Sequence, residues 1–382
     1  MRPVAAARAE ASLTVLHLVA NRWWTGSADP VLRLLDGLRR RGHRPLLGVI
    51  PGDRFEAKAR DAGFDPVPGV GLAGPQLAPG AFLRDVARLR RLVRREGVQV
   101  IHAHHSHDHW LAMLVRARLD ARRSLPIVRT FHNLRSVRTG ALERWLYGRT
   151  ATFFAVSRQI ETRCREVGIP PARVVWTPGT ADLSRFGADV DPAPIRDEFE
   201  LGEAPVVVSV SRLAANRGHE LLLDAFRLLL DTMPAARLLL VGKGETRSRL
   251  EQTVVEMGLR GRVLFAGYRD RDLPAVVAAA DCFALMAAGS DESCRAALEA
   301  MAAARPVVAR RVGALPETIA HGETGWLVDE DRAEAVAAAL AAVLGDRQRA
   351  RAMGRAGRQR AMTEFGPDRC VTIIERVYRS LA

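Results

Sequence analysis

In Val206-Val-Val-Ser-Val-Ser-Arg-Leu-Ala-Ala-Asn-Arg-Gly-His219 an aliphatic run passes straight into a basic turn. The β-branched opening predicts a buried strand near 205–210, and the residues beyond the turn predict an amphipathic helix near 217–232. A strand that feeds directly into a helix is the unit of a parallel sheet, because parallel neighbours need a crossover long enough to hold one. Arg212 and Arg217 stand five residues apart, at the strand end and near the helix start. Both guanidiniums can therefore converge on a diphosphate, with helix N-terminal amides adding donors. The same spacing also suits two solvated arginines.

The alternation continues in both directions. Downstream, strands are predicted near 236–241, 262–266, 281–285 and 306–309, with helices near 245–257, 271–279, 292–303, 314–320 and 331–345. Upstream, strands near 13–20, 45–50, 98–103, 126–131 and 151–156 alternate with helices near 28–42, 53–63, 80–96, 107–121 and 139–149. Between the two series, 184–203 is polar and carries Asp191-Pro-Ala-Pro194, the composition of a linker. A chain of 382 residues exceeds the roughly 250–300 that one core supports. It divides into two doubly wound α/β domains with parallel sheets, 1–184 and 185–366, and an amphipathic end, 367–382, that folds back onto the first. Ligands of such sheets bind outside the carboxyl ends of the strands, which places a site in the cleft between the domains.

Composition narrows the function classes. Hydrophobic residues make up 48% of the chain, with no repeat or low-complexity block, which excludes a disordered chain or a solenoid. Apolar runs such as Leu238 to Val241 are far shorter than the ~20 residues that span a bilayer. Leu13 to Ala20 leads into Asn21-Arg-Trp-Trp24 without a cleavage site, so it is predicted as a first strand and not a signal peptide. Cys164, Cys282, Cys294 and Cys370 are widely spaced, as reduced thiols of a cytoplasmic protein would be.

The net charge of +14 and isoelectric point near 11.0 come from 57 basic residues, of which only Lys58 and Lys243 are lysines. Arg39-Arg-Arg41, the stretch Arg84 to Arg95, and Arg116, Arg118, Arg122 and Arg123 all fall in the first half. They fit solvated helix faces, or an anionic membrane surface on which the protein would sit peripherally. No zinc-finger spacing, helix-turn-helix pattern or aromatic-basic motif accompanies them, so no nucleic-acid partner is expected.

Three further clusters carry chemistry. Asp291-Glu292-Ser293-Cys294-Arg295 runs into a helix that holds Glu299, so one carboxylate can bind sugar hydroxyls and the other a ribose, while the amides of 292–295 form a helix N-terminus. Acidic residues there are equally good dipole partners. His132, in Arg129-Thr-Phe-His-Asn133, ends a first-domain strand and faces the cleft, where it can hydrogen-bond a sugar or serve as a structural strand-end residue. His102-Ala-His-His-Ser-His-Asp-His109 offers five imidazoles, a supply of metal ligands, but one that straddles a strand end and helix start and so points in several directions. Gly242, Gly267 with Tyr268, and Gly26 in the loop Trp23-Trp-Thr-Gly-Ser27 lie after strands, where close backbone approach to a base or phosphate is useful.

In this order the clusters resemble the family 4 retaining glycosyltransferases, over nearly the whole chain and most strongly from Val206 to Asp329. Ser211-Arg-Leu213, Leu239-Leu-Val-Gly-Lys-Gly244, Val263-Leu-Phe-Ala-Gly267, Leu298-Glu-Ala-Met-Ala302, Arg305-Pro-Val-Val308 and Gly322-Glu-Thr-Gly-Trp-Leu-Val328 carry the likeness. The resemblance implies two Rossmann-like domains in the GT-B arrangement, a nucleotide-sugar donor (a UDP-sugar by preference), a lipid-linked or saccharide acceptor, and neither metal nor cofactor. It puts Arg212 and Arg217 on the donor diphosphate, Glu299 on the ribose, Asp291 on the hexose and His132 beside the reacting sugar. Gly26, Gly242, Gly267, Tyr268, Glu292, Ser293, Cys294 and Arg295 would complete the donor site. The chain departs from the family at Arg217, usually Lys, at Asp291, usually Glu, and in Ser293-Cys-Arg295, which replaces a Phe-Gly-aliphatic run. Those departures leave a donor-binding pseudoenzyme or assembly partner as the alternative to an active transferase.

Overall fold

The computed structural model describes residues 11–21, 28–72, 79–117, 125–288, 293–329 and 331–382. The first half holds strands β1 (Thr14–Val19), β2 (Arg44–Val49), β3 (Val100–Ala103), β4 (Ile127–Phe131), β5 (Thr152–Ala155) and β6 (Val174–Trp176). Its helices are α1 (Asp29–Arg40), α2 (Arg54–Asp61), α3 (Pro79–Arg95), α4 (Ser106–Ala117), α5 (Ala141–Gly148) and α6 (Arg158–Glu166). The second half follows α7 (Ala193–Glu198) with β7 (Val206–Val210), β8 (Arg237–Val241), β9 (Val263–Gly267), β10 (Cys282–Leu285), β11 (Val307–Arg310) and β12 (Gly325–Val328). Around it lie α8 (His219–Leu230), α9 (Arg247–Glu256), α10 (Leu273–Ala278), α11 (Arg295–Ala302), α12 (Leu315–Thr318), α13 (Ala333–Leu344) and α14 (Arg347–Glu364), and α15 (Pro367–Leu381) ends the chain.

The strand orders are β2-β1-β3-β4-β5-β6 and β12-β11-β10-β7-β8-β9, and every pairing is parallel. Strand order reverses between β1 and β3 in the first sheet and between β7 and β10 in the second, and ligands of open α/β sheets sit at such switch points. Val206, Val207 and Val208 are fully buried, as are Leu238, Leu239 and Leu240, which is why these strands read as unbroken aliphatic runs: helices cover both faces of the sheet.

Both halves depart from the pattern read from sequence. Each sheet gains a short sixth strand at one edge, β6 and β12, and helices α6, α7 and α14 were not expected. The predicted helix 217–232 starts only at His219; Arg217 sits on a 3-10 turn, and Gly218 turns the chain at φ 69°. A Cβ on Gly218 would lie 2.7 Å from that of Met286. The predicted helix 292–303 starts at Arg295, with Cys294 in the left-handed region at φ 53°, so the amides of Ser293 and Cys294 stand outside the helix N-terminus expected over 292–295.

After Phe365-Gly366 the chain leaves the second half, and α15 lies against α1. Val371, Ile374 and Tyr378 of α15 are buried with Leu13, Val15, Leu34 and Leu38. Glu375 fastens this contact, accepting hydrogen bonds from Arg41 Nη1 at 2.7 Å, His43 Nε2 at 2.9 Å and Arg379 Nε at 2.9 Å. Despite burial, which raises it, those bonds hold the Glu375 carboxyl down to about 2.

Candidate active site

At the end of β7 the chain turns through Ser211 to Leu213 and is bound to the next loop by Ser211 N–H to Val241 O at 3.0 Å and Leu213 N–H to Lys243 O at 3.1 Å. Gly242, at φ 144°, and Gly244 make this possible, since a Cβ on either would run into the carbonyl oxygen of Ser211 or Leu213. The close approach expected of Gly242 is therefore made to the protein's own backbone, and its N–H donates to Gly267 O at 2.8 Å. Gly267 turns the chain at φ 68°. Tyr268 follows it, 47% exposed, with Lys243 Nζ 5.3 Å and the Arg54 guanidinium 5.8 Å from its ring centroid.

The arginines converge. Exposed Arg212 donates to Glu245 at 2.9 Å. Half-buried Arg217 has no hydrogen-bond partner for its Nε among the described residues. Burial, then the charges of Arg212 and Arg135, push its pKa below the usual guanidinium range, and Glu245 alone opposes them. Arg135 belongs to the 3-10 turn Leu134–Ser136 of the first half, so it supplies a third cation from across the cleft. Arg217 thus feels two neighbouring guanidiniums and one carboxylate, a site short of negative charge, which is what a bound diphosphate supplies.

Beside them, a chain of ion pairs crosses between the halves. Asp182 lies 3.2 Å from Arg33, Arg33 binds Asp29 at 2.7 Å, Asp29 lies 3.5 Å from Arg295, and Arg295 lies 3.1 Å from Glu299. Burial, the largest influence, raises the Glu299 carboxyl against the opposing charge of Arg295. Gly179 packs on Ser293, where a Cβ would come within 2.7 Å of the serine Cβ, so the segment after β6 and the turn before α11 touch. Asp291, Glu292 and Gly26 lie outside the described residues.

In the first half, His132 follows β4 and belongs to a buried layer of imidazoles. His104 Nδ1 is 3.4 Å from His132 Nε2, and His104 Nε2 is 3.2 Å from Nδ1 of His17 on β1. His102 is held by Tyr378 Oη at 2.5 Å and Thr130 Oγ1 at 2.7 Å. His109 turns instead to Thr150 Oγ1 at 2.7 Å, and His105 to Asp108 at 3.2 Å. His17, His102 and His104 bring ring nitrogens within 4.8 Å of one another, a donor set of the kind divalent metals use. Yet His102 and His104 stack, with centroids 4.1 Å apart and planes 26° apart, so their in-plane lone pairs run side by side and do not converge.

A cavity of about 40 Å³ between the halves is lined by His104, Thr130, His132, Gly179, Thr180 and Ser293, which brings His132 and Ser293 to one space. A larger one, of about 240 Å³, is lined by Pro205, Asp281 and Pro306, at the amino ends of β7, β10 and β11, and so lies at the opposite end of that sheet. The structure thus groups Arg212, Arg217, Gly242 and Gly267 at one side of the cleft, and Ser293, Arg295 and Glu299 with His132 at another. Arg135, Asp29, Arg33 and Asp182 were missed from sequence, because each acts through a partner distant in the chain and none sits in a motif of its own.

Two facing Rossmann-like domains with a cationic cluster at the carboxyl ends of the second sheet define a glycosyltransferase of the GT-B architecture. The chain belongs to family 4 of the glycosyltransferases: the model for Glycosyltransferase Family 4 matches residues 24–185, and that for Glycosyl transferases group 1 matches 193–360. A GDP-mannose-dependent α-(1-6)-phosphatidylinositol monomannoside mannosyltransferase of Mycobacterium tuberculosis is 34% identical over 80% of this chain and 81% of its own. Its Mycolicibacterium smegmatis counterpart is 36% identical over 55% of this chain, a match that spans only 57% of that protein. The crystal structure of Anabaena HepE in complex with UDP and glucose has the same fold, with a TM-score of 0.79 over 97% of this chain and 99% of that one at 20% identity.

Proposed function

We propose that this glycosyltransferase works with retention and without a metal, moving a hexose-type sugar from a nucleoside diphosphate onto a lipid-linked or polysaccharide acceptor in envelope or exopolysaccharide synthesis. The convergence of Arg135, Arg212 and Arg217, with one guanidinium nitrogen left unpartnered, carries the reading. Those cations would offset the charge that develops on the diphosphate as the bond from the anomeric carbon breaks, a task other transferases give to a metal ion. The acceptor hydroxyl would form the new bond on the same face and pass its proton to the leaving phosphate. Glu299 would bind the ribose, Asp291 the hexose, and His132 would stand beside the reacting carbon, with Tyr268 offering its exposed ring to the base.

The acceptor reading draws on the mycobacterial relative, whose named acceptor is a phosphatidylinositol mannoside. It also draws on the surface of the first half, where Leu83, Leu142 and Trp145 are exposed among the arginines of α3 and α5, a combination suited to the anionic inner face of a membrane. Among the described residues no helix is long and apolar enough to cross one. The donor base is open between the uridine expected from sequence and the guanosine of the mycobacterial relative.

Calorimetric titration with UDP-, GDP-, ADP- and dTDP-sugars, with and without EDTA, tests the proposal. A donor whose binding survives EDTA and is abolished in Arg212→Ala and Glu299→Ala supports it. Unchanged affinity in either variant overturns the assignment of that residue, and binding lost in EDTA overturns the metal-independent mechanism. Binding without transfer to any acceptor would favour the pseudoenzyme.

A further inference from the structure

The cavity of about 240 Å³ at the amino ends of β7, β10 and β11 lies within the second half, and the proposed donor site leaves it unused. Four guanidiniums line it: Arg196 on α7, Arg305 just before β11, and Arg347 and Arg351 on α14. Against them stand the carboxylates of Asp281 and Glu203, so the lining carries an excess of positive charge. Asp281 is already engaged, since its Oδ2 accepts from Val206 N–H at 2.9 Å and faces Arg196 Nη1 at 3.8 Å. Glu203 is exposed.

The cations are left short of partners. Half-buried Arg305 donates from Nη1 to Ala280 O at 3.1 Å, but its Nε has no hydrogen-bond partner, and no carboxylate comes within ion-pair distance of it among the described residues. Burial lowers its pKa, Asp281 opposes that, and Arg196 adds to it. Arg347 and Arg351 are exposed, four residues apart on α14, and make no hydrogen bond or ion pair among the described residues. Like charges at that spacing repel, and a cation in the first turn of a helix opposes its dipole. That turn holds no acidic residue, and Asp346 before it already caps the helix by accepting from Arg349 N–H at 2.9 Å. An anion among Arg305, Arg347 and Arg351 would relieve each of these penalties with charge-assisted hydrogen bonds. We infer that this cavity is a second ligand site, built for a phosphate group, either free or carried on a small molecule. Its volume is below the roughly 300–1,000 Å³ of sites for drug-sized ligands, so a phosphate with a short organic remainder fits it and a nucleotide-sugar does not. Such a ligand joins α7 to α14 and leaves the cleft open to the donor.

Calorimetry of the full chain with inorganic phosphate and with glucose 6-phosphate, at an ionic strength fixed with chloride, tests the inference. The titrations are made in Arg212→Ala, which disables the phosphate cluster of the cleft, and there binding should persist. Adding Arg347→Gln and Arg351→Gln should weaken it about tenfold or more. Both arginines are exposed, so in the otherwise unaltered chain the same pair of substitutions should lower neither the urea midpoint nor the affinity for the donor. In hydrogen exchange each bound probe should protect 193–198 and the first turns of α14, and leave 211–219 as they were. Tighter binding of glucose 6-phosphate upholds the site and makes a phosphate ester its ligand; equal affinity upholds it for inorganic phosphate. The inference is overturned if neither probe binds at about 10 mM, if Arg212→Ala abolishes binding, or if the glutamines at 347 and 351 leave it unchanged. None of these outcomes depends on which nucleotide-sugar the cleft takes.

Discussion

Lowering the pH from 7 to 5 should destabilise the first half, and the buried histidines set the sign of the effect. His17, His102, His104 and His109 all have pKa values depressed first of all by burial, His17 to about 3 and the others well below their usual value. In the unfolded chain each titrates near 6.5, so below that pH the unfolded state takes up protons that the folded state refuses. Stability is therefore complete above about pH 6.5 and falls as the pH drops beneath it. A group that stays neutral when folded loses about 1.4 kcal/mol per pH unit, or about 2 kcal/mol at pH 5. His17 alone accounts for that amount and the other three act in the same direction, a large share of the about 5–15 kcal/mol that domains possess. Urea denaturation followed by tryptophan fluorescence reports on this half, since Trp326 is the only one of six tryptophans beyond residue 176. Equal stability at pH 7 and pH 5 would refute the argument, because it would mean that these rings take up protons without unfolding.

Arg217→Met should move stability and binding in opposite senses. It removes an unpartnered, half-buried donor and relieves the repulsion from Arg212 and Arg135, so the unliganded chain should gain about 1 kcal/mol in urea melts. Loss of a charge-assisted hydrogen bond should weaken donor affinity about 10- to 150-fold by calorimetry. Gly244→Ala should cost at least about 2 kcal/mol in the same melts, because the new methyl meets the Leu213 carbonyl and has no side-chain end that can swing away. Glu375→Gln should loosen α15 by about 1 kcal/mol at pH 7, read as faster amide exchange over 367–381; the carboxylate's contribution is present at neutral pH and would be lost only as pH falls from about 4.5 towards 2.

Elements whose stability comes from a continuous aliphatic run were legible. β7 and β8 announce themselves because both faces are buried, which leaves all but Ser209 and Arg237 aliphatic. β6 is three residues long, too short for any period to register, β12 opens on a glycine, a weak strand former, and both lie at sheet edges. Helix α14 was missed because three of its four buried positions are the small residues Gly354, Gly357 and Ala361, of which Gly354 meets the backbone at Ala304, and its exposed face is rich in arginine. Within the cleft, Arg212, Arg217 and Glu299 could be named because each sits in a local motif. Arg135 and Asp29 could not, since their meaning comes from Arg217 and Arg295, which reach them only through the tertiary fold. At Gly242 sequence shows that a backbone comes close; the structure shows that this backbone includes the protein's own, at Ser211 and Gly267.

The chain passes between the halves twice, once through the segment after β6 and again at Phe365-Gly366-Pro367, where α14 on the second half gives way to α15 on the first. A single strap would let one half swivel freely; two straps leave a rotation about the line joining them as the soft motion. The domains are thus coupled like the leaves of a door, and opening is confined to one degree of freedom. Tyr378, on the helix that follows the second strap, ends on His102, so that strap is anchored in the histidine layer.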